Sequence, residues 1–265
     1  MNSVDKDVLM SWKIITKQKS FSIYDLGFSD YSMIYPSSNE LLNSIFSLVD
    51  VKDKDVLTVL ASGDQRFHML IRGAQSVDLF DINKLTIHYY YLREWSIRYL
   101  GIYYICDNRF DFINSLLKIV KPKTEEEQLS YNYWLQVINL FKKDIDLLFF
   151  DEYPMSNKIK DISSLNKVLD KSEVNFYNVD ISNPVEINKK YDIVYVSNIQ
   201  DYIPRDVHNF VIYEENLKRL LKDKGVVVSA NVRYFGPCDE ESIVFKPDFK
   251  YHDLGNIVGY TYTRR

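Results

Sequence analysis

Two cysteines, Cys106 and Cys238, lie far apart and without metal-ligand spacing in 265 residues. That excludes a disulfide framework and gives no zinc motif. A surplus of positive charge is also missing, with 33 Lys and Arg against 37 Asp and Glu and a formal net charge of -4. Binding nucleic acid irrespective of sequence requires cations to displace phosphate counterions, so no nucleic acid is expected as a partner. No apolar run reaches the roughly 18 residues that a membrane span requires. The opening "MNSVDKDVLMSWKIITKQKS" lacks a basic start followed by an apolar core, so no targeting segment is expected and the chain reads as cytoplasmic. Glycine is scarce too, at 8 residues. Neither the three-glycine dinucleotide fingerprint nor a phosphate-cradling loop ending in Lys-Ser/Thr occurs, which argues against a dinucleotide oxidoreductase.

What is abundant is apolar: 46% of residues are hydrophobic and 15% aromatic, enough to bury a large core. Five short runs are almost continuously apolar or β-branched: "DVLTVLA" (55–61), "SVDLFDI" (76–82), "VNFYNVD" (174–180), "YDIVYVSNI" (191–199) and "GVVVSANV" (225–232). Strands of that kind are covered on both faces, as in a parallel sheet. Helical patterns fall between them, at 64–72, 84–100 and 206–223, the last followed by Gly225 as a stop. The alternation predicts an α/β fold with a doubly wound, mainly parallel sheet. "SIVFKP" and "NIVGYTYTR" are expected to form a terminal hairpin at one edge.

Two segments interrupt this alternation. In residues 1–50, "SSNE" reads as a capping box, Ser37 capping a helix and Glu40 reaching back. Residues 101–170 are too long for a simple connection. Within them Trp134, Val137, Ile138, Phe141, Ile145 and Leu148 fall at helical spacing, as a core face or as a helical cap over a substrate pocket. The expected organisation is an N-terminal helical segment (1–50), a Rossmann-like domain (51–100 and 171–265) and a helical insertion (101–170).

In an open parallel sheet, ligands bind beyond the carboxyl ends of the strands. The first strand ends in Ser62-Gly63-Asp64, where a glycine lets a ligand approach the backbone. The second ends in Asp81, placed to accept hydrogen bonds from ribose hydroxyls. The third ends in Asp180, suited to an adenine amine, and the fourth in Ser197-Asn198. Taken singly, Asp81 reads as well as a helix cap and Asp180 as the seat of a turn. A ligand with adenosine, no phosphate and a cationic centre matches the set. Asp64, His68 and Asp201 are candidate bases, each with a structural reading beside it. Tyr24, Tyr31, Tyr35 and Tyr202 are candidates for closing over a ligand, or else packing residues.

"VLTVLASGDQ", "GAQSVDLFDIN", "YNVD" and "YDIVYVSNIQDY" together resemble class I S-adenosylmethionine-dependent methyltransferases. More closely, they are similar to a bacterial branch related to the S-adenosylmethionine:diacylglycerol 3-amino-3-carboxypropyl transferases. The likeness covers roughly residues 51–100 and 174–232. It implies S-adenosyl-L-methionine as cofactor and S-adenosylhomocysteine or methylthioadenosine as product. Ser62, Gly63 and Asp64 would line the aminocarboxypropyl tail, Asp81 with Ile82 the ribose, Asp180 with Ile181 the adenine, and Ser197 with Asn198 the reacting end. This chain has one glycine in the first turn where ordinary methyltransferases have two or three. Methyl transfer to a small molecule or lipid is the leading expectation, aminocarboxypropyl transfer the second, and a nonenzymatic cofactor-binding module the third.

Overall fold

The chain alternates strands and helices around one seven-stranded sheet in order β3-β2-β1-β4-β5-β7-β6. The computed structural model describes residues 3–20, 31–38, 40, 42–105, 108–150, 158–199, 207–231, 250–253 and 258–263. The strands are β1 (Asp55–Val59), β2 (Ser76–Asp81), β3 (Phe176–Asn178), β4 (Tyr191–Ser197), β5 (Leu221–Asn231), β6 (Lys250–Asp253) and β7 (Val258–Thr263). Each runs parallel to its neighbour from β3 through β5. The direction of winding reverses between β1 and β4, the switch point at which such sheets take ligands. β7 then inserts antiparallel between β5 and β6.

The doubly wound, mainly parallel fold expected from the apolar runs is therefore present. β1, β2 and β4 are buried almost throughout, as strands covered on both faces must be. Edge strand β3 is only half-buried and far shorter than its sequence run. The terminal hairpin is also present, but its first strand is β6. "SIVFKP" lies outside the described residues.

The chain divides into two compact units. The sheet unit comprises Glu40–Val59, Gln65–Asp81 and Ser172–Arg265, and the helical unit comprises Met1–Asn39, Leu60–Asp64 and Ile82–Lys171. Helices α2 (Leu42–Leu48) and α8 (Val207–Leu220) belong to the sheet unit, as does α3 (Asp64–Ile71) apart from its first residue. The helical unit holds α1 (Ser3–Ser20), α4 (Leu85–Trp95), α5 (Arg109–Leu117), α6 (Glu125–Phe141) and α7 (Ile162–Leu169).

Two local signals were misread by sequence pattern. The helix after "SSNE" begins only at Leu42, too late for Ser37 to cap it, and the Glu40 carboxylate is used elsewhere in the sheet unit. Gly225 does not stop α8, which ends at Leu220; Lys224, inside β5, takes a left-handed conformation at φ 62°. Gly225 is needed for space, since a Cβ there would lie 2.9 Å from the Tyr191 carbonyl oxygen and 3.0 Å from that of Lys222.

In the helical unit, α6 starts where Thr124 Oγ1 accepts the Glu127 amide at 3.2 Å, with acids filling the first turn where the helix dipole favours them. Trp134, Val137, Ile138, Phe141, Ile145 and Leu148 are all buried, so the apolar stripe seen in the sequence is core. α4 continues into a π-helical turn, Ser96–Leu100, closed by Gly101 at φ 67°.

Asp7 of α1 is buried beside His88 of α4, with Nε2 to Oδ2 at 3.1 Å. His88 Nδ1 meets Ser130 Oγ at 2.9 Å, and the ring stacks on Tyr133 at 4.1 Å. Burial holds His88 below its ordinary pKa against the opposing pull of Asp7. Burial would raise Asp7, but hydrogen bonds from His88 and Tyr31 outweigh it and hold the carboxyl below its usual value. A neutral imidazole thus accepts from Ser130 and donates to an ionised Asp7.

Both groups bind protons more weakly folded than unfolded, so stability falls as pH is lowered. The His88 contribution is complete above its unfolded value of about 6.5 and is lost below it. Urea midpoints measured from pH 8 to pH 5 should decline on the acid side, and His88→Gln should flatten that slope. Gly225→Ala should cost about 1–3 kcal/mol in the same assay.

Candidate functional site

Parallel strands deliver their side chains to one edge of the sheet unit, and the register fixes which residues meet there. Asp81 closes β2 opposite Asn178 of β3. Its backbone oxygen accepts from the Val179 amide at 3.1 Å and from Asn178 Nδ2 at 2.9 Å. The end of β2 is thereby locked to β3, and Asp81 is 8% exposed, a buried strand-end acid.

Asp180 follows β3 and seats a turn. Its Oδ1 accepts from the Ser182 amide at 2.9 Å and from Ser182 Oγ at 2.7 Å, while Oδ2 accepts from Asn183 Nδ2 at 2.8 Å. This is the turn-forming role that a short acidic side chain performs well. The adjoining Ile181 is buried, and Asn216 Nδ2 of α8 donates to its carbonyl at 2.9 Å.

Ser197 closes β4 at φ 54°, a left-handed conformation that is uncommon outside glycine. Its carbonyl accepts from Ser229 Oγ of β5 at 2.9 Å. Its hydroxyl donates to Glu40 Oε1, with Asn198 Oδ1 also near, at 3.2 Å. Glu40 Oε2 accepts from Tyr195 Oη at 2.8 Å and from Gln65 Nε2 at 3.2 Å. Glu40 is 1% exposed, so a buried carboxylate fixes the β4 tip through neutral donors. Burial, reinforced by that carboxylate, pushes the Tyr195 phenol well above its ordinary pKa, keeping it a donor.

The other predicted residues belong to the helical unit. Leaving β1, the chain turns with Ala61 at φ 45° and Gly63 at φ 86°, and the Gly63 amide donates to the Leu60 carbonyl at 2.7 Å. That positive φ is a backbone reason for glycine at this place. Ser62 and Asp64 are fully buried. Asp64 Oδ2 accepts from the Ser38 amide at 2.7 Å and from Ser62 Oγ at 2.8 Å, and Oδ1 accepts from Arg93 Nη2 at 2.8 Å. Arg93 Nη1 also donates to the Ser62 carbonyl at 2.7 Å. The guanidinium lies against the rings of Tyr103 and Tyr104, 5.0 and 5.1 Å from their centroids. Burial disfavours the Arg93 charge, but the Asp64 carboxylate more than compensates and raises its pKa above the ordinary value. Ile82 is partly exposed, and next to it Asn83 Oδ1 accepts from the Leu85 amide at 3.1 Å.

Asp81, Asp180, Ile181, Ser197 and Asn198 are thus gathered at the carboxyl edge of the sheet unit. Ser62, Gly63 and Asp64 form a buried turn in the helical unit, with Ile82 in that unit as well. Of the candidate bases, Asp64 is engaged by Arg93, and His68 is buried with Nδ1 3.0 Å from Arg72 Nη1. Tyr31 donates to Asp7 at 2.8 Å, and Tyr35 stacks on Phe150 at 4.4 Å, so both pack. Tyr24, Asp201 and Tyr202, like Cys106 and Cys238, lie outside the described residues.

Sequence reasoning missed Arg93 and Glu40. Arg93 carried one legible signal, a lone guanidinium within the aromatic helix "LTIHYYYLREW". Glu40 carried only the "SSNE" signal, which pointed to a helix cap, because its actual partners Tyr195 and Ser197 are brought to it from distant sequence.

No protein-family profile matches the chain, and no curated protein matches it. Solved structures that resemble it include an rRNA methyltransferase, aviRa, from Streptomyces viridochromogenes, at 8% identity and TM-score 0.47, covering 86% of this chain and 85% of that one. The N-methyltransferase NodS from Bradyrhizobium japonicum, in complex with S-adenosyl-L-homocysteine, is 8% identical with TM-score 0.40 over 84% of this chain and 83% of its own. A ribosomal protein L11 methylase from Lactobacillus delbrueckii subsp. bulgaricus is 13% identical with TM-score 0.40 over 85% and 76%.

Removing one partner of a buried ion pair strands the other, at about 3–5 kcal/mol. Asp64→Ala and Arg93→Ala should each lower unfolding free energy by about that amount, and the double variant by less than their sum, as measured in urea.

Proposed function

We propose that the chain is an S-adenosyl-L-methionine-dependent transferase, moving a methyl group to a small-molecule or lipid acceptor. The observation that carries this reading is the carboxyl edge of the sheet unit. Asp81 stands at the end of β2, Asp180 just beyond β3 and Ser197 at the end of β4, around the point where strand order reverses. Acids at those tips suit an adenosine, and no Lys-Ser/Thr phosphate loop is present to favour a nucleotide triphosphate instead.

The donor set fits the cofactor at the ribose and adenine ends. Asp81 is fixed at the end of β2 by the pairing of its own carbonyl to β3, and a carboxylate at that strand tip is the group that would receive the ribose hydroxyls. The Asp180 carboxylate is largely used by its turn. Oδ2 keeps a lone pair for an adenine amine, with Ile181 supplying an apolar neighbour. When bound, S-adenosylmethionine supplies a sulfonium whose attached carbons are electrophilic.

The protein's share is then orientation and exclusion of water. Ser197 and Asn198 stand at the reacting end, and Glu40 and Tyr195 hold that strand tip in place. In this reading residues 51–100 and 171–265 hold the cofactor. Ser62, Gly63 and Asp64 serve the aminocarboxypropyl tail through the backbone of their turn, since the Asp64 carboxylate is engaged by Arg93.

Titration calorimetry with S-adenosylmethionine should show binding to the wild-type chain. Loss of charge-assisted hydrogen bonds in Asp81→Asn should weaken it about 30-fold, equivalent to about 2 kcal/mol. Unchanged affinity in that variant would remove the ribose assignment. Release of S-adenosylhomocysteine marks methyl transfer, whereas methylthioadenosine would show aminocarboxypropyl transfer.

A further inference from the structure

Between Leu60 and Asp64 the chain of the helical unit takes a shape that its own residues do not favour. Ala61 lies at φ 45° and Gly63 at φ 86°, and a left-handed alanine is costly enough that its surroundings must hold it there. Arg93 does so. Its Nη1 donates to the Ser62 carbonyl at 2.7 Å, and its Nη2 to Asp64 Oδ1 at 2.8 Å and to the Tyr103 carbonyl at 3.2 Å. One planar fork thus grips the residues on either side of Gly63. The side chains of Arg93 and Asp64 are both 0% exposed.

A second irregular element sets the fork itself. After α4 the chain runs into the π-helical turn Ser96–Leu100 and is turned back by Gly101 at φ 67°. Ser96 Oγ donates to the Ile102 carbonyl at 2.7 Å, and Tyr103 and Tyr104 return to Arg93 with ring centroids 5.0 and 5.1 Å from its guanidinium carbon. A guanidinium seated on two rings and bonded to two carbonyls has little freedom to turn. Apolar side chains of like volume often replace a buried ion pair with no loss of stability. Backbone strain, for its part, collects where ligands are clamped.

We propose that Arg93 is a positioning residue for the cofactor: by clamping Ser62 and Asp64 together it gives the turn the shape that receives the aminocarboxypropyl end of S-adenosylmethionine, and so makes the chain prefer ligands that carry that end. This rests on the cofactor reading above. Charge supports the assignment. The aminocarboxypropyl end has one ammonium and one carboxylate, and a bare Asp64 carboxylate beside it would repel the like charge. Paired with Arg93, Asp64 adds no net charge to the turn. Lysine could supply that charge but not the fork.

Titration calorimetry on the full chain can compare S-adenosylmethionine with methylthioadenosine, which keeps the adenosine and lacks the aminocarboxypropyl group. The wild-type chain should prefer S-adenosylmethionine. Arg93→Lys should cut that preference about tenfold while affinity for methylthioadenosine stays within about twofold. The uncharged pair Asp64→Leu/Arg93→Met, which strands no buried charge, should do the same, with thermal unfolding confirming that each variant is folded at the temperature of titration. A merely structural role would weaken both ligands alike. The proposal is overturned if the preference is unchanged in the folded variants, or if the wild-type chain binds the two ligands equally well. A wild-type chain that ignores both ligands overturns the cofactor reading as well. If Asp81→Asn weakens both ligands and the Arg93 variants leave their ratio unchanged, the cofactor reading stands and only the role of Arg93 falls.

Discussion

A parallel strand can satisfy its backbone only along its own length, and where it ends the chain must find other partners for every buried polar group. That constraint organises the candidate site. At the end of β2 the Asp81 carbonyl is paid off by β3. At the end of β4 Ser197 leaves the ladder in a left-handed conformation and is held by Glu40 and Ser229. In the turn after β1, Arg93 binds the Ser62 carbonyl and the Asp64 carboxylate together. In each case a polar side chain stands where regular hydrogen bonding stops.

This explains what was readable in advance. β1, β2, β4 and β5 were legible because burial on both faces writes an uninterrupted apolar run, a signal local to a few residues. β3 was legible only as a segment, since an edge strand half open to solvent imposes little on its sequence. The core stripe of α6 was plain from its spacing, whereas the "SSNE" cap failed because Glu40 has stronger partners far along the chain than the helix start beside it.

The places of Asp81, Asp180 and Ser197 at strand ends were legible because the strands themselves are predictable. Arg93 and Glu40 were not, because each acts by spanning elements that sequence order separates. Nothing in a linear pattern distinguishes a buried Glu from a solvated one until its neighbours arrive. Asp64 shows the converse: its position was read correctly as the start of a helix, while its charge was already committed to Arg93.

The placement of β7 carries a consequence for how the sheet is made. Because β7 lies between β5 and β6, the strand synthesised after β6 is the one that joins β6 to everything earlier. Among the described residues, β7 is the strand that pairs with this side of β5, from Val226 to Asn231, and an edge without its partner is the kind of template on which chains mispair. The seam that β7 closes is therefore an interior one, and the order of pairing on this side of the sheet differs from the order of the strands in the sequence.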